Sequence, residues 1–225
     1  MTAQVESAEV VDFGDLSIQW DRRVLRPRPW TAEQSRWAAE LSERCPGGPI
    51  LELCCGAGQI GLLAASLTGR PLVQVDRDPV AAAYARRNAA ATGIPSEVRT
   101  ESVFGALETD ERFPLVLIDA PWVRSDRLEE HPEDPVGAID GGLDGTEETV
   151  LNLGVALRHL DPAGHILVQV GEPEQVDVVR SLMAGLGTGD ETVRTVLDVR
   201  DCRPGGMLVH IGPTAEPGDP STGSE

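Results

Sequence analysis

The chain is short of positive charge. Nineteen lysines and arginines face 37 aspartates and glutamates over 225 residues, a net charge of −18. A field of that sign repels a phosphate backbone over most of the surface, so nucleic acid is disfavoured as a partner. Cysteines are few as well, at four. They form neither spaced pairs nor part of a small domain, which argues against a secreted disulfide framework. The adjacent Cys54 and Cys55 lack the CxxC or histidine companions of a metal site, and no metal is expected. No N-terminal apolar run marks export, and no run of about 20 apolar residues marks a membrane span. The expectation is a reduced, cytoplasmic protein without membrane contact. Aromatic residues make up only 4% against 40% hydrophobic, and the length suits one α/β domain with short extensions.

Residues 1–14 are polar and acidic, and are expected to be flexible. Leu16–Trp20 alternates like a short strand, with Val24-Leu25 as its returning partner. Beside them Arg22, Arg23, Arg26 and Arg28 crowd together, as a solvated charged hairpin or as an anion site. Thr31 is placed to cap a helix over 32–44, where Trp37, Ala38 and Leu41 recur at helical spacing. Pro46-Gly-Gly-Pro49 stops it. Short apolar runs then alternate with amphipathic segments: strands at 50–54, 72–76, 97–100, 115–119 and 165–170, helices at 59–67, 79–92, 147–160 and 174–186. Such alternation specifies a parallel sheet with right-handed crossovers. The last two strands, 192–199 and 207–211, are joined by a loop too short for a crossover helix and must pair antiparallel. Residues 15–212 thus read as one domain. Residues 213–225, rich in Pro, Gly and Ser, are expected to be disordered.

The stretch Leu51-Glu-Leu-Cys-Cys-Gly-Ala-Gly-Gln-Ile-Gly61 joins a strand to a helix, a setting that suits a nucleotide-like ligand because small residues let the backbone approach it. Its spacing is not the G-x-G-x-x-G of a pyrophosphate loop. It resembles motif I of class I S-adenosylmethionine methyltransferases, E/D-x-G-x-G-x-G, with Glu52 leading, Cys54 in the place of the first glycine, then Gly56 and Gly58. Cys54 would pack as a small side chain beside the methionine moiety. The resemblance implies a Rossmann-like doubly wound sheet of seven strands with the C-terminal hairpin, and S-adenosylmethionine as cofactor. Asp76 ends the second strand, where a carboxylate can take both ribose hydroxyls.

Asp119-Ala-Pro-Trp122 follows the fourth strand and resembles the N/D-P-P-Y/F/W signature of methyltransferases that act on planar nitrogen. In those enzymes the first side chain and a following carbonyl accept hydrogen bonds from the NH2 group, and the aromatic ring stacks on the substrate. Val24-Leu-Arg-Pro-Arg-Pro-Trp-Thr31 is similar to the V-L-I-P-R-P-E-T segment of HemK-type protein-(glutamine-N5) methyltransferases. Ala138-Ile-Asp-Gly-Gly-Leu-Asp-Gly145 resembles their A-L-D-G-G-x-D-G loop. The similarity runs from about residue 16 to 212, and the family's N-terminal recognition domain is expected to be lacking. It implies cofactor contacts from Thr31, Glu52, Cys54, Gly56, Gly58, Asp76, Arg77, Ser102, Val103 and Asp119. A catalytic corner is implied at Asp119, Ala120, Pro121 and Trp122, with Trp30 and Trp122 on the substrate.

Asp119 stands where the glutamine enzymes have asparagine. A carboxylate is the stronger acceptor and can serve as general base, and Trp122 offers cation–π attraction. Both favour an amine, guanidine or heteroaromatic amino group over a carboxamide. The expected activity is N-methylation of a small molecule or peptide. Protein glutamine-N5 methylation, O- or C-methylation with Asp119 as base, and a noncatalytic S-adenosylmethionine-binding module are the alternatives.

Overall fold

The computed structural model describes residues 8–186 and 193–214. Seven strands form one sheet: β3 (Ile50–Leu53), β4 (Leu72–Asp76), β5 (Ser96–Thr100), β6 (Phe113–Ile118), β7 (Leu160–Val170), β8 (Arg194–Asp201) and β9 (Met207–Pro213). Their order is β5-β4-β3-β6-β7-β9-β8. The five strands from β5 to β7 run parallel, and β9 lies antiparallel between β7 and β8.

The central strands are buried on both faces, as a sheet covered on both sides requires. β3 (ILEL) and β6 (FPLVLI) are buried throughout. Alternate residues feed two separate cores. Ile50, Leu115 and Leu117 meet α1 (Ala32–Ser42), α2 (Gln59–Thr68) and α3 (Pro79–Thr92). Leu51, Leu53, Val116 and Ile118 meet α5 (Glu147–His159) and α6 (Pro173–Leu186). A single turn, α4 (Val136–Ile139), sits in the long connection after β6.

Five local expectations change. Leu16–Trp20 (β2) pairs with β1, Glu9–Phe13, and not with Val24-Leu25. The stretch expected to be flexible thus holds a strand, because Phe13 is buried and Gly14 turns the chain at φ +62°. Asn88 of α3 locks the hairpin down by accepting from the Gln19 N–H at 2.8 Å and donating to the Gln19 carbonyl at 2.9 Å. Thr31 stands at the N-cap position of α1 as expected, but it also closes a 3-10 turn, Pro29–Thr31, and donates its hydroxyl to the Arg28 carbonyl at 2.9 Å, so its side chain makes no capping bond. β7 begins at Leu160, earlier than its apolar run. Pro213 still belongs to β9. Thr192, residues 1–7 and the tail from 215 lie outside the described residues.

Candidate active site

Parallel strands present all their carboxyl ends at one edge, and open α/β sheets bind ligands there. The loops after β5, β4, β3 and β6 surround a cleft of about 340 Å³ at that edge. Ser102, Val103 and Phe104 line it after β5, Asp76 and Arg77 after β4, Cys54, Cys55 and Gly56 after β3, and Asp119 and Pro121 after β6.

The turn after β3 is left-handed at Cys54 (φ +58°), Gly56 (φ +54°) and Gly58 (φ +85°). Among the described residues Cys54 is the one non-glycine in that region, a conformation that costs an L-residue about 1–2 kcal/mol. Its thiol donates to Asn152 Oδ1 on α5 at 3.5 Å, and burial pushes it well above the usual thiol range. Gly56 meets nothing where a Cβ would stand, so its backbone is open to a ligand. Its N–H donates to Asp76 Oδ2 at 2.8 Å, and the Asp78 N–H donates to Oδ1 at 2.9 Å. Burial raises the Asp76 carboxyl despite these bonds. Arg77 is paired with Glu148 of α5 at 2.9 Å, and both line the cleft.

Two expected cofactor residues in this turn lie behind it. Glu52 points beneath α2, because alternation along β3 puts it on the same face as Ile50. It is 1% exposed and accepts from Gln74 Nε2 at 2.5 Å and from the Gly61 N–H. Burial pushes its carboxyl up to about 8. Gly58 is required by packing: a Cβ there would lie 2.9 Å from Gln74 Nε2 and 3.1 Å from the Ala85 Cβ. Thr31 is also outside the lining, held by its bond to Arg28.

Asp119 is different. It ends β6, half-buried, facing the cleft with no hydrogen-bond partner among the described residues, and burial pushes its carboxyl up to about 7. Ala120 is buried beside it and Pro121 lines the wall. The expected stacking rings do not line the cleft. Trp122 lies against Gly171, so closely that a Cβ on Gly171 would enter the ring. Trp30 covers Gly205 in the β8–β9 loop and carries the Arg28 guanidinium 5.8 Å from its ring centre.

Residues not expected to line the site build its walls instead, some of them from the two flanking motifs. Val24 and Leu25 approach from one side, Pro135, Gly137 and Ala138 from another, and Glu148, Leu151 and Asn152 from α5. Arg28 ties the first two groups together through Asp134, with bonds of 2.6 and 2.7 Å. The 138–145 loop carried a signal, and the structure gives its physical sense. Gly141 and Gly145 have no room for a Cβ beside the Pro121 and Trp122 backbone, and Val123 exchanges hydrogen bonds with Ile139 and Gly141 at 2.9 and 2.8 Å. The loop thereby clamps the backbone that follows Asp119. The arginine cluster is largely consumed by structure: Arg23 pairs with buried Asp21, which also accepts from the Tyr84 hydroxyl, and Arg26 stacks on Trp20. His131 groups with Glu133 and Asp134, but Asp134 already holds Arg28.

The donor set fits S-adenosylmethionine. Asp76 and Asp119 make the cleft acidic, as a sulfonium with an α-ammonium group needs, and the two arginines in the lining are already paired, Arg23 with Asp21 and Arg77 with Glu148. Residues 37–131 match the Methyltransferase small domain family. Release factor glutamine methyltransferase of Cereibacter sphaeroides is 32% identical over 198 residues, covering 81% of this chain and 68% of that protein. A methyltransferase from Pyrococcus furiosus shares the fold with a TM-score of 0.62 at 19% identity, over 88% of each chain. A tRNA (uracil-54, C5)-methyltransferase of Pyrococcus abyssi, solved with S-adenosyl-L-homocysteine, gives a TM-score of 0.56 at 16% identity, over 91% of this chain and 43% of that one. The chain spans between about half and two thirds of the length of curated relatives of the first kind. Motif order, sheet topology and these likenesses agree, and the chain belongs to the HemK-type family of S-adenosylmethionine-dependent methyltransferases.

Proposed function

We propose that the chain methylates a nitrogen atom of a small molecule or peptide, with Asp119 accepting the acceptor's N–H. The observation that carries this reading is the Asp119 carboxyl itself: half-buried, without a hydrogen-bond partner among the described residues, at the end of a central strand in a cleft that fits the cofactor. When bound, S-adenosylmethionine supplies an electrophilic methyl group on a sulfonium. Asp76 keeps free lone pairs beyond its two backbone bonds and would take the ribose diol. Gly56 and Cys54 would border the methionine portion, and Ser102 and Val103 the adenine. Asp119 would orient the acceptor nitrogen, which is mainly a matter of positioning and charge. The free cysteines support a reducing, cytoplasmic setting.

Protein glutamine-N5 methylation is the second reading, favoured by the names of the relatives. Incubation with methyl-labelled S-adenosylmethionine and a panel of amine, amide and hydroxyl acceptors tests both, read by S-adenosylhomocysteine release and mass spectrometry of the product. Label on nitrogen supports the first reading, label on a glutamine side chain the second. Label only on oxygen or carbon removes both.

A further inference from the structure

Resting on the methyl-transfer reading above, we infer that the acceptor is an aliphatic primary amine, held as its ammonium ion by Asp119 and deprotonated by it. Three eliminations lead there. A heteroaromatic acceptor wants a stacking ring near Asp119, and none is present among the lining residues. Trp122 and Trp30 are turned onto Gly171 and Gly205. The aromatic residue that does line the cleft, Phe104, follows β5, three strands away from β6, a distance of about 14 Å at the usual strand spacing.

A carboxamide needs a donor for its oxygen as well as an acceptor for its NH2 group. Five side chains of the lining, Val24, Leu25, Pro121, Pro135 and Ala138, are aliphatic. A carboxamide buried against them would leave its oxygen without a side-chain partner, a loss of roughly ten- to a hundredfold in binding. An ammonium ion has donors alone, and its charge suits a cleft bordered by Asp76 and Asp119. A guanidinium also has donors alone, but it does not release a proton readily. Its acidity lies roughly seven powers of ten from that of a carboxyl near 7, against about three for an alkylammonium.

The step balances without another reactant. The Asp119 carboxylate takes one proton from R–NH3+, giving R–NH2 and the carboxylic acid. The nitrogen lone pair then forms the N–C bond to the sulfonium methyl of the proposed cofactor, the S–C pair stays on sulfur, and the product leaves as R–NH2+–CH3. Besides Asp119, the charged groups bordering or underlying this cleft are Glu52 of β3, Asp76 and Asp78 after β4, the Arg77–Glu148 pair, and Arg23 held by Asp21.

The test compares n-butylamine, butyramide and cytosine as ligands of the full chain with S-adenosylhomocysteine present, by ligand-observed NMR, and as acceptors with S-adenosylmethionine by mass spectrometry. Butylamine is expected to bind at least tenfold more tightly than the other two and to yield N-methylbutylamine. In Asp119→Asn that preference is expected to shrink to within about threefold. Adsorption of an amine to an acidic surface is common to both proteins and cancels in the difference. Equal or tighter binding of butyramide or cytosine, an amine preference unchanged by Asp119→Asn, or no binding by any of the three overturns the amine assignment. Methyl transfer to butyramide or cytosine would overturn it while sparing the methyl-transfer reading, which falls only if the wider acceptor panel yields no nitrogen product.

Discussion

Glu52 and Asp119 are carboxyls on adjacent strands, both raised by burial, one to about 8 and the other to about 7. Their surroundings separate them. Glu52 sits beneath the turn after β3 with Gln74 and the Gly61 N–H on its oxygens, and Gln74 goes on to bond the Gly58 carbonyl and the Ser96 hydroxyl. Asp119 has burial without partners among the described residues. A raised carboxyl marks a functional site only when its bonding capacity is left open to a cleft. Where the capacity is filled by the protein, the same shift marks a structural joint.

The comparison breaks first at Asp119. Asp119→Ala is expected to lower kcat by about 10²- to 10⁴-fold while S-adenosylmethionine still binds, as measured by steady-state kinetics alongside calorimetry. A loss of affinity with kcat intact would make Asp119 a cofactor residue only.

The mirror experiment is Glu52→Ala, which opens a cavity and strips a buried hydrogen-bonded group. It is expected to cost about 2–4 kcal/mol in denaturant unfolding with cofactor affinity per folded molecule little changed. A stable variant that fails to bind cofactor would move Glu52 into the site.

Third in size is Asp76→Ala. S-adenosylmethionine at a hundred times its dissociation constant stabilises a protein by about 2.7 kcal/mol. Thermal unfolding with and without ligand is expected to show most of that gain lost in the variant, from a nearly unchanged apo melting point.

The pH dependence of stability sharpens the contrast further. Glu52 titrates at 4.5 when unfolded and at about 8 when folded. Across that window only the unfolded chain ionises, so stability falls as pH rises, by up to roughly 1.4 kcal/mol per pH unit from this group. The contribution is complete below 4.5 and gone above 8. Urea unfolding at a series of pH values is expected to show a shallower fall in Glu52→Gln, and an unchanged profile would contradict the raised carboxyl.

The smallest effect is expected from Cys54→Gly. Relief of a left-handed cysteine gives about 1–2 kcal/mol, against the loss of the Asn152 contact and of chain stiffness. A gain of several tenths of a kcal/mol with turnover within tenfold is expected. Lost turnover in a folded variant would assign Cys54 a chemical role.

How much of this was legible in the sequence follows from how local each contact is. Asp76 and Asp119 were legible because each stands at the end of an apolar run, and strand ends in a parallel sheet face the cleft. The parallel order and the C-terminal hairpin followed from run lengths and loop lengths. Glu52 and Gly58 were placed in the right turn but on the wrong side of it. The alternation that pairs Glu52 with Ile50 decides that side, and motif matching ignores it. The tryptophans were misplaced for a different reason. Gly171 lies 49 positions beyond Trp122 and Gly205 lies 175 beyond Trp30, and no local pattern links a ring to a distant glycine. β1 was hidden because acids fall on both of its faces, Glu9 beside Val11 and Phe13 and Asp12 beside exposed Val10, which blurs the alternation.

The Arg28–Asp134 pair has a consequence for how the site can change over time. It joins segments 106 positions apart and is largely shielded, with the carboxyl 8% and the guanidinium 25% exposed. On the proposed assignment the cofactor end draws mostly on residues 54–104, and segments 24–25 and 135–138 supply a separate part of the lining. On that assignment evolution or a designer could reshape acceptor choice at those few positions, keep the pair as an anchor, and leave the cofactor half untouched. The two halves of the proposed reaction would then be separately inheritable.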